Sequence, residues 1–163
     1  MEIRFRRQCQ PCTACCDGWL DFVIDSAPVS PGRPCPHSAG NGCNNYENRP
    51  VDPCKLFSCG WVIPESPLPD WMKPDTGKVI VIFNKKTWRG APVDLAVPVG
   101  LKIPDRALDW LKNYAQANRR PLIWLEQVMK DGEYLDPPLY FGYGPQPFLL
   151  ELLQAQQQGK SPW

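Results

Sequence analysis

The sequence lacks most of the features by which enzymes and nucleic-acid-binding proteins are recognised. It has one histidine among 163 residues, so a two-histidine iron site within this chain is excluded. It also has no glycine-rich nucleotide loop, no flavin motif and no CxxxCxxC run of the radical-SAM type. Lysine and arginine number 18 against 17 acidic residues, a balance that favours neither a nucleic acid nor a membrane as partner.

Hydrophobic targeting segments are also missing. No stretch approaches the roughly 18 apolar residues of a membrane helix, and the opening MEIRFRRQCQ lacks the apolar run of a signal peptide. We therefore expect a soluble, cytoplasmic protein. The small basic cluster of Arg4, Arg6 and Arg7 is interpreted as a solvated strand face.

Cysteine is confined to the first part of the chain, and nothing after residue 59 contains one. Disulfides that staple a whole chain would be spread more widely, and disulfides are rare in a reducing cytosol. Disulfide bonding is therefore the less favoured interpretation of these cysteines. We predict a single domain, 1–163, with a cysteine-cluster part at 9–83 and a cysteine-free part at 84–163. The eight cysteines are Cys9, Cys12, Cys15, Cys16, Cys35, Cys43, Cys54 and Cys59.

The spacing of these cysteines predicts that all eight are metal ligands. Cys9, Cys12 and Cys15 follow one another at x2 intervals, and a tight turn can point such neighbouring thiols at one ion. The run also matches the front of the bacterial ferredoxin pattern, although its C-x3-C-P tail is absent. Cys15 and Cys16 are adjacent, and adjacent side chains point apart in extended backbone, so they serve two sites or only one of them binds. The spacing leaves the partition open.

The same residues resemble the YkgJ-type cysteine-cluster family. Its hallmark is a CxxCxxCC run followed by C-x-I-Y-x-x-R-P-x-x-C-R-x-F. Here CQPCTACC supplies the first part, and GCNNYENRPVDPCKLFSCGW, which includes Tyr46 and Arg49, supplies the second. The resemblance covers residues 9 to about 83.

Two substitutions relative to that hallmark leave every thiol in place. Asn45 stands where the family has an aliphatic residue, and Lys55 stands where it has an arginine, which removes a bidentate donor. Family members are described as zinc- or iron-chelating, and flagellin lysine methylases carry a similar cluster thought to hold iron and sulfur. The resemblance therefore implies a metal and does not supply a reaction.

Three functional hypotheses follow, ranked by their support. The first is an iron–sulfur or iron protein, either an electron carrier or the redox half of a modification enzyme, which would need a protein partner for chemistry on a substrate. The second is a zinc-stapled structural or interaction module without catalysis. The third, well behind, is a cysteine-based or mononuclear-iron enzyme. Whether the protein is an enzyme is left open.

Three residues beside the cysteines have alternative interpretations. For His37, a surface-loop histidine is favoured over a role at a metal. Tyr46 and Arg49 are expected to hold the loop in shape, with the Arg49 side chain capping backbone carbonyls in preference to binding a sulfur.

The fold class predicted is α+β, with a small and mostly antiparallel sheet, one main helix and a loop-rich, metal-pinned N-terminal lobe. The alternation of Leu20, Phe22 and Ile24 with polar or exposed positions indicates a half-buried strand. The late aromatic stretch, 134–148, is interpreted as cover for the core. The remaining predictions are an irregular loop at 26–48, a helical turn near Pro53, strands at 78–84, 87–100 and 121–128, and helices at 104–118 and 148–158.

Overall fold

The cysteine-bearing part of the chain has little regular structure. The computed structural model describes residues 6–162. A two-residue turn, in which Asp25 and Ser26 both have positive φ, joins two short antiparallel strands, β1 (Phe22–Ile24) and β2 (Ala27–Val29). π-type turns occupy Cys15–Trp19 and Val51–Lys55, a 3-10 turn occupies Asp70–Met72, and α1 is a single turn at Pro74–Gly77.

A four-stranded mixed sheet follows this part of the chain. β3 (Val79–Trp88) and β4 (Ala91–Pro98) form an antiparallel hairpin, whose turn at Arg89 and Gly90 has positive φ at both positions. The helix α2 (Asp105–Asn118) then carries the chain to β5 (Leu122–Glu126), which pairs in parallel with β4.

The C-terminal part completes the sheet and adds a second long helix. A small hairpin of β6 (Met129–Lys130) and β7 (Glu133–Tyr134) leads to β8 (Leu139–Tyr143), which pairs antiparallel with β5. The strand order is therefore β3-β4-β5-β8. The helix α3 (Gln146–Gln157) packs against β8.

One hydrophobic core joins the sheet to the cysteine-bearing part. It contains the apolar residues of β3 and β4, one face of α2 and also Cys12, Cys59 and Trp61. A second, smaller core consists of Ile24, Val29 and Cys35, with Cys16 and Cys54 packed against it. Cysteines therefore belong to both cores.

An ion pair fixes the middle of the sheet. Asp94 is buried and accepts two hydrogen bonds from Arg120, at 2.8 and 2.7 Å, and one from the backbone N–H of Asn84 at 2.9 Å. The hydrogen bond with Asp94 raises the pKa of Arg120. Asn84 has a positive φ and lies between Ile82 and Lys86, where the register of the β3–β4 pairing is irregular. The buried carboxylate therefore accepts a backbone hydrogen bond at the point where the pairing of the two strands is interrupted.

The predicted α+β class is confirmed, and two of the three strand pairings in the main sheet are antiparallel. The alternation in β1 is also confirmed, since Ile24 is buried and Val23 is exposed. Two details differ: β2 lies within the predicted loop, and α3, at 12 residues, nearly equals α2 at 14, so the sheet has two substantial helices.

Three of the five late aromatic residues cover the core as predicted, for Phe148 is buried and both Tyr140 and Tyr143 pack against the main core, whereas Phe141 is exposed. Among the helices that the structure describes, none has the length and apolar character needed to span a membrane.

Candidate metal centre

All eight cysteines line one cavity, and its volume is about 680 Å³. The chain reaches this cavity through four separate segments: the run that begins at Cys9, the loop around Cys35, the loop around Cys43, and the turn from Cys54 to Cys59. None of the eight thiols forms a disulfide. The sequence prediction grouped these residues as ligands, and the fold brings all of them to the same space.

Backbone N–H groups point at several of the sulfurs. The backbone N–H of Ala14 acts to lower the pKa of Cys12, and the N–H groups of Trp61 and Val62 act in the same direction on the pKa of Cys59. The same influence recurs in the loop, where the N–H groups of His37 and Ser38 act to lower the pKa of Cys35.

The fourth example is Cys43, whose sulfur lies 3.4 Å from the backbone nitrogen of Asn45. At each of these four cysteines, the backbone N–H of the residue two positions later favours the thiolate form. Hydrogen bonds of this kind stabilise the charged thiolate, which is the form that binds metal.

Three sulfurs at the start of the cluster contact one another. The thiol of Cys15 hydrogen-bonds to both Cys16 and Cys9. These two hydrogen bonds lower the pKa of Cys9 to about 7 and also lower the pKa of Cys16, whereas the pKa of Cys15, the donor, is raised. The cluster therefore begins with closely packed thiols that compete for protons.

The other shifted thiols respond to burial. Removal from water raises the pKa of Cys12, Cys35, Cys54 and Cys59. Because a bound cation balances the charge of a thiolate, these buried thiols are suited to ionise together with metal binding.

The charged side chains on the cavity wall have one sign. Arg6, Arg7, Arg49 and Lys55 line the cavity, and no aspartate or glutamate is among the described residues that do so. Several thiolates around one metal centre carry more negative charge than a divalent ion neutralises. The cations on the wall therefore compensate the charge that a loaded centre would have.

Arg49 takes the structural role predicted for it. Its guanidinium lies 3.8 Å from the centroid of the Tyr46 ring, and its Nη1 atom donates to the Tyr46 carbonyl oxygen at 2.8 Å. The side chain thus caps a backbone carbonyl and fixes the loop between Cys43 and Cys54. It lines the cavity at the same time.

His37 lies closer to the site than a plain surface histidine would. It lines the cavity, and its Nε2 atom is 2.9 Å from Oδ2 of Asp25 in the β1–β2 turn. A carboxylate partner of this kind fixes the orientation of an imidazole ring. The contact ties the loop that carries Cys35 to the first hairpin.

The interpretation of Arg7 as a solvated strand residue is wrong. Its guanidinium donates to the carbonyl oxygens of Trp61 at 2.9 Å and Leu68 at 2.7 Å, and to Oδ1 of Asp70 at 2.8 Å. It also lies 4.6 Å from the centroid of the Trp61 ring. Arg6 is exposed, and Arg4 lies outside the described residues.

Lys73 contacts the same tryptophan. Its Nζ atom lies 5.5 Å from the centroid of the Trp61 ring and donates to the carbonyl oxygen of Gln10 at 3.4 Å. We refer to Arg7, Trp61 and Lys73 as the Trp61 clasp. The clasp joins the start of the cysteine run to the segment that follows Cys59. Sequence reasoning missed it, since its contacts cross more than 50 residues of chain.

The thiols surround a space and do not meet at one point. Within residues 6–162, no three side chains of cysteine, histidine, aspartate or glutamate are arranged to hold a single metal ion. The assignment of the eight cysteines as ligands therefore stays a prediction. Neither a family model, nor a curated protein, nor a solved structure matches this chain.

Proposed function

We propose that this protein binds an iron–sulfur cluster, or iron, through its clustered cysteine thiolates, and acts as an electron carrier or as the redox accessory of a modification enzyme. The observation that carries the proposal is the convergence of all eight thiols on one cavity. Thiolates are soft donors, and the metals that prefer them are iron in iron–sulfur clusters, zinc and Cu(I).

The size of the cavity favours a cluster over a single ion. A structural zinc site closes four ligands around one ion at about 2.3 Å and leaves little space between them. The volume here, about 680 Å³, falls in the range of roughly 300–1,000 Å³ in which proteins bind small molecules and cofactors. A bound iron–sulfur cluster would supply reversible electron transfer.

The surroundings of the thiols support the same proposal. The N–H of Asn45 donates to the Cys43 sulfur, and the N–H groups of Ala14, His37 and Trp61 favour the thiolate forms of Cys12, Cys35 and Cys59. Hydrogen bonds to sulfur are one of the means by which proteins set cluster potentials. The cationic wall balances the negative charge of a thiolate-bound centre. Both features suit a negatively charged metal centre.

The resemblance to the YkgJ-type family supports a metal, and the analogy with flagellin lysine methylases supports iron with sulfur. The chain has no nucleotide or flavin motif, so chemistry on a substrate would require a protein partner. We also propose a cytoplasmic location, because free thiols in this number persist in a reducing compartment.

Zinc is the second candidate, and a specific observation favours it. Cys9, Cys12, Cys15 and Cys59 also line a small cavity of about 10 Å³, a volume on the scale of one water-sized sphere. Four cysteine thiols are the donor set of a structural zinc site. In that case the protein is a structural or interaction module.

Serine variants of Cys9 and Cys12 test the proposal. Each is expected to lower the bound metal and the order of the first 60 or so residues, since serine is a poor ligand for soft metals. Ser58→Ala is the matched control, because Ser58 lines the same cavity without a soft donor. Metal analysis of the anaerobically purified proteins gives the result, and metal content unchanged in both cysteine variants would refute the proposal.

A further inference from the structure

Four of the cysteines share surroundings that the other four do not. Cys9, Cys12, Cys15 and Cys59 line the small cavity together with Trp61, Pro74 and Ile80. Cys12 and Cys59 are buried in the main core beneath the sheet, and Cys15 packs against that core. We call these four cysteines the first set.

Backbone contacts hold the first set together. The N–H of Cys12 donates to the carbonyl oxygen of Cys9 at 2.9 Å, which closes the turn between them. The N–H of Gly60 donates to the carbonyl oxygen of Val81 at 2.6 Å, so Cys59 is fixed to β3. The Trp61 clasp then connects both segments.

The other four cysteines form the second set, and three of them belong to the second core or pack against it. The set consists of Cys16, Cys35, Cys43 and Cys54. Cys35 is buried there against Ile24 and Val29, with Cys16 and Cys54 packed on the same residues.

Backbone contacts also connect the members of the second set. The N–H of Cys35 donates to the carbonyl oxygen of Cys16 at 2.7 Å, and Cys43 forms a β-bridge with Ser38. Cys16, Cys35 and Cys43 are the three cysteines whose charges act on the thiol of Cys54.

The two sets meet at the Cys15–Cys16 dipeptide. Cys15 packs against the main core and Cys16 against the second core, in agreement with the rule that adjacent side chains point apart. The Cys15 thiol nevertheless hydrogen-bonds to both Cys9 of the first set and Cys16 of the second. The sets are thus separate in their packing and in contact at one point.

We infer that the eight thiols form two distinct four-cysteine centres, one from each set, joined through the peptide between Cys15 and Cys16. The inference rests on the proposed metal function and adds to it the number of centres and the ligands of each. The first set combines three closely spaced thiols with a distant one, as iron–sulfur centres do, whereas each thiol of the second set comes from a different stretch of the chain. Two clusters ligated by adjacent cysteines would lie close enough to interact magnetically when both are reduced.

The wild-type protein, purified without oxygen, gives the first test. Two cubane clusters predict about eight irons and eight acid-labile sulfides per chain, and the zinc alternative predicts about two zincs without sulfide. The electron paramagnetic resonance spectrum of the reduced iron protein is expected to show two interacting centres. About four irons with an isolated spectrum would overturn the inference and leave the proposed function standing, whereas wild-type protein without metal would refute the proposed function itself.

Two matched variants then identify the ligands. Cys59→Ala removes one member of the first set and Cys54→Ala one member of the second. Each is expected to retain about half of the wild-type metal and to show the spectrum of one isolated centre, while the double variant binds neither cluster. Full metal retention in both single variants would overturn the partition. The wild-type count decides between one centre and two even where a variant does not fold.

Discussion

At the scale of single residues, Arg7 shows how one side chain can assemble a site from distant parts of the chain. It lies two residues before Cys9, and its main partner, Trp61, lies two residues after Cys59. The Trp61 carbonyl accepts from Arg7, while the Trp61 N–H acts to lower the pKa of Cys59. Arg7 is therefore a positioning residue that acts on the first set through Trp61.

The substitution Arg7→Gln tests this role. Glutamine cannot reach both carbonyls and the Asp70 carboxylate, and loss of hydrogen bonds to a charged group predicts a destabilisation of about 1.5–3 kcal/mol. We expect urea unfolding to show this loss and metal analysis to show that the first centre is depleted in preference to the second. Arg6→Gln is the control, since Arg6 is an exposed arginine on the same cavity. Equal behaviour of the two variants would contradict the role given to Arg7.

At the scale of elements, β3 is the support on which the cysteine-bearing part rests. Gly60 approaches this strand so closely that a Cβ atom there would lie 2.8 Å from the Val81 carbonyl oxygen and 2.8 Å from the Phe83 ring. The ring is itself packed against the main core. The close approach requires glycine at residue 60, and it places Cys59 beside the sheet.

We predict that Gly60→Ala separates Cys59 from the rest of its set. The added methyl group overlaps backbone oxygen, which cannot move without disturbing the β3–β4 pairing, so both the thermal stability and the metal content should fall. Gly132→Ala is the control: Gly132 lies in the β6–β7 turn with positive φ, and a Cβ there meets nothing within 4 Å. It should lower stability through backbone strain alone and leave metal binding unchanged. A metal content for Gly60→Ala equal to that of the control would contradict the claim that the close approach of Gly60 to β3 positions Cys59 in its set.

The elements differ in how far the sequence predicted them. β3 was predictable from its continuous run of β-branched residues, Val79 to Val81, and α2 from apolar residues at helical spacing, such as Leu111. β2 was not predictable, because it has only three residues, one of them Pro28, and lies inside a segment rich in turn-forming residues. The thiols could be named as candidate ligands from spacing, but their division into two sets depends on which core each residue packs against.

At the scale of the whole molecule, the protein combines a self-supporting sheet with a part that has few backbone pairings of its own. Between β2 and β3, the chain is held by turns, isolated hydrogen bonds and the convergence of cysteines. A segment of that kind gains much of its stability from a bound metal, because binding free energy then acts as folding free energy.

Removal of the metal is therefore expected to open this segment first. Chymotrypsin should cleave the metal-free protein after Tyr46 and Leu56, both exposed, before it cleaves after Phe83 or Trp88 in β3. Mass spectrometry of the fragments identifies the sites. Identical cleavage patterns with and without metal would show that the metal does not support this part of the fold.

The most direct measurement is the content of iron, zinc and acid-labile sulfide per chain, with an absorption spectrum, on protein expressed and purified without oxygen. We predict iron in multiples of about four, matched by sulfide, with broad absorption near roughly 400 nm. Colourless protein without bound iron, zinc or sulfide would contradict the proposal that the eight thiols serve to hold a metal.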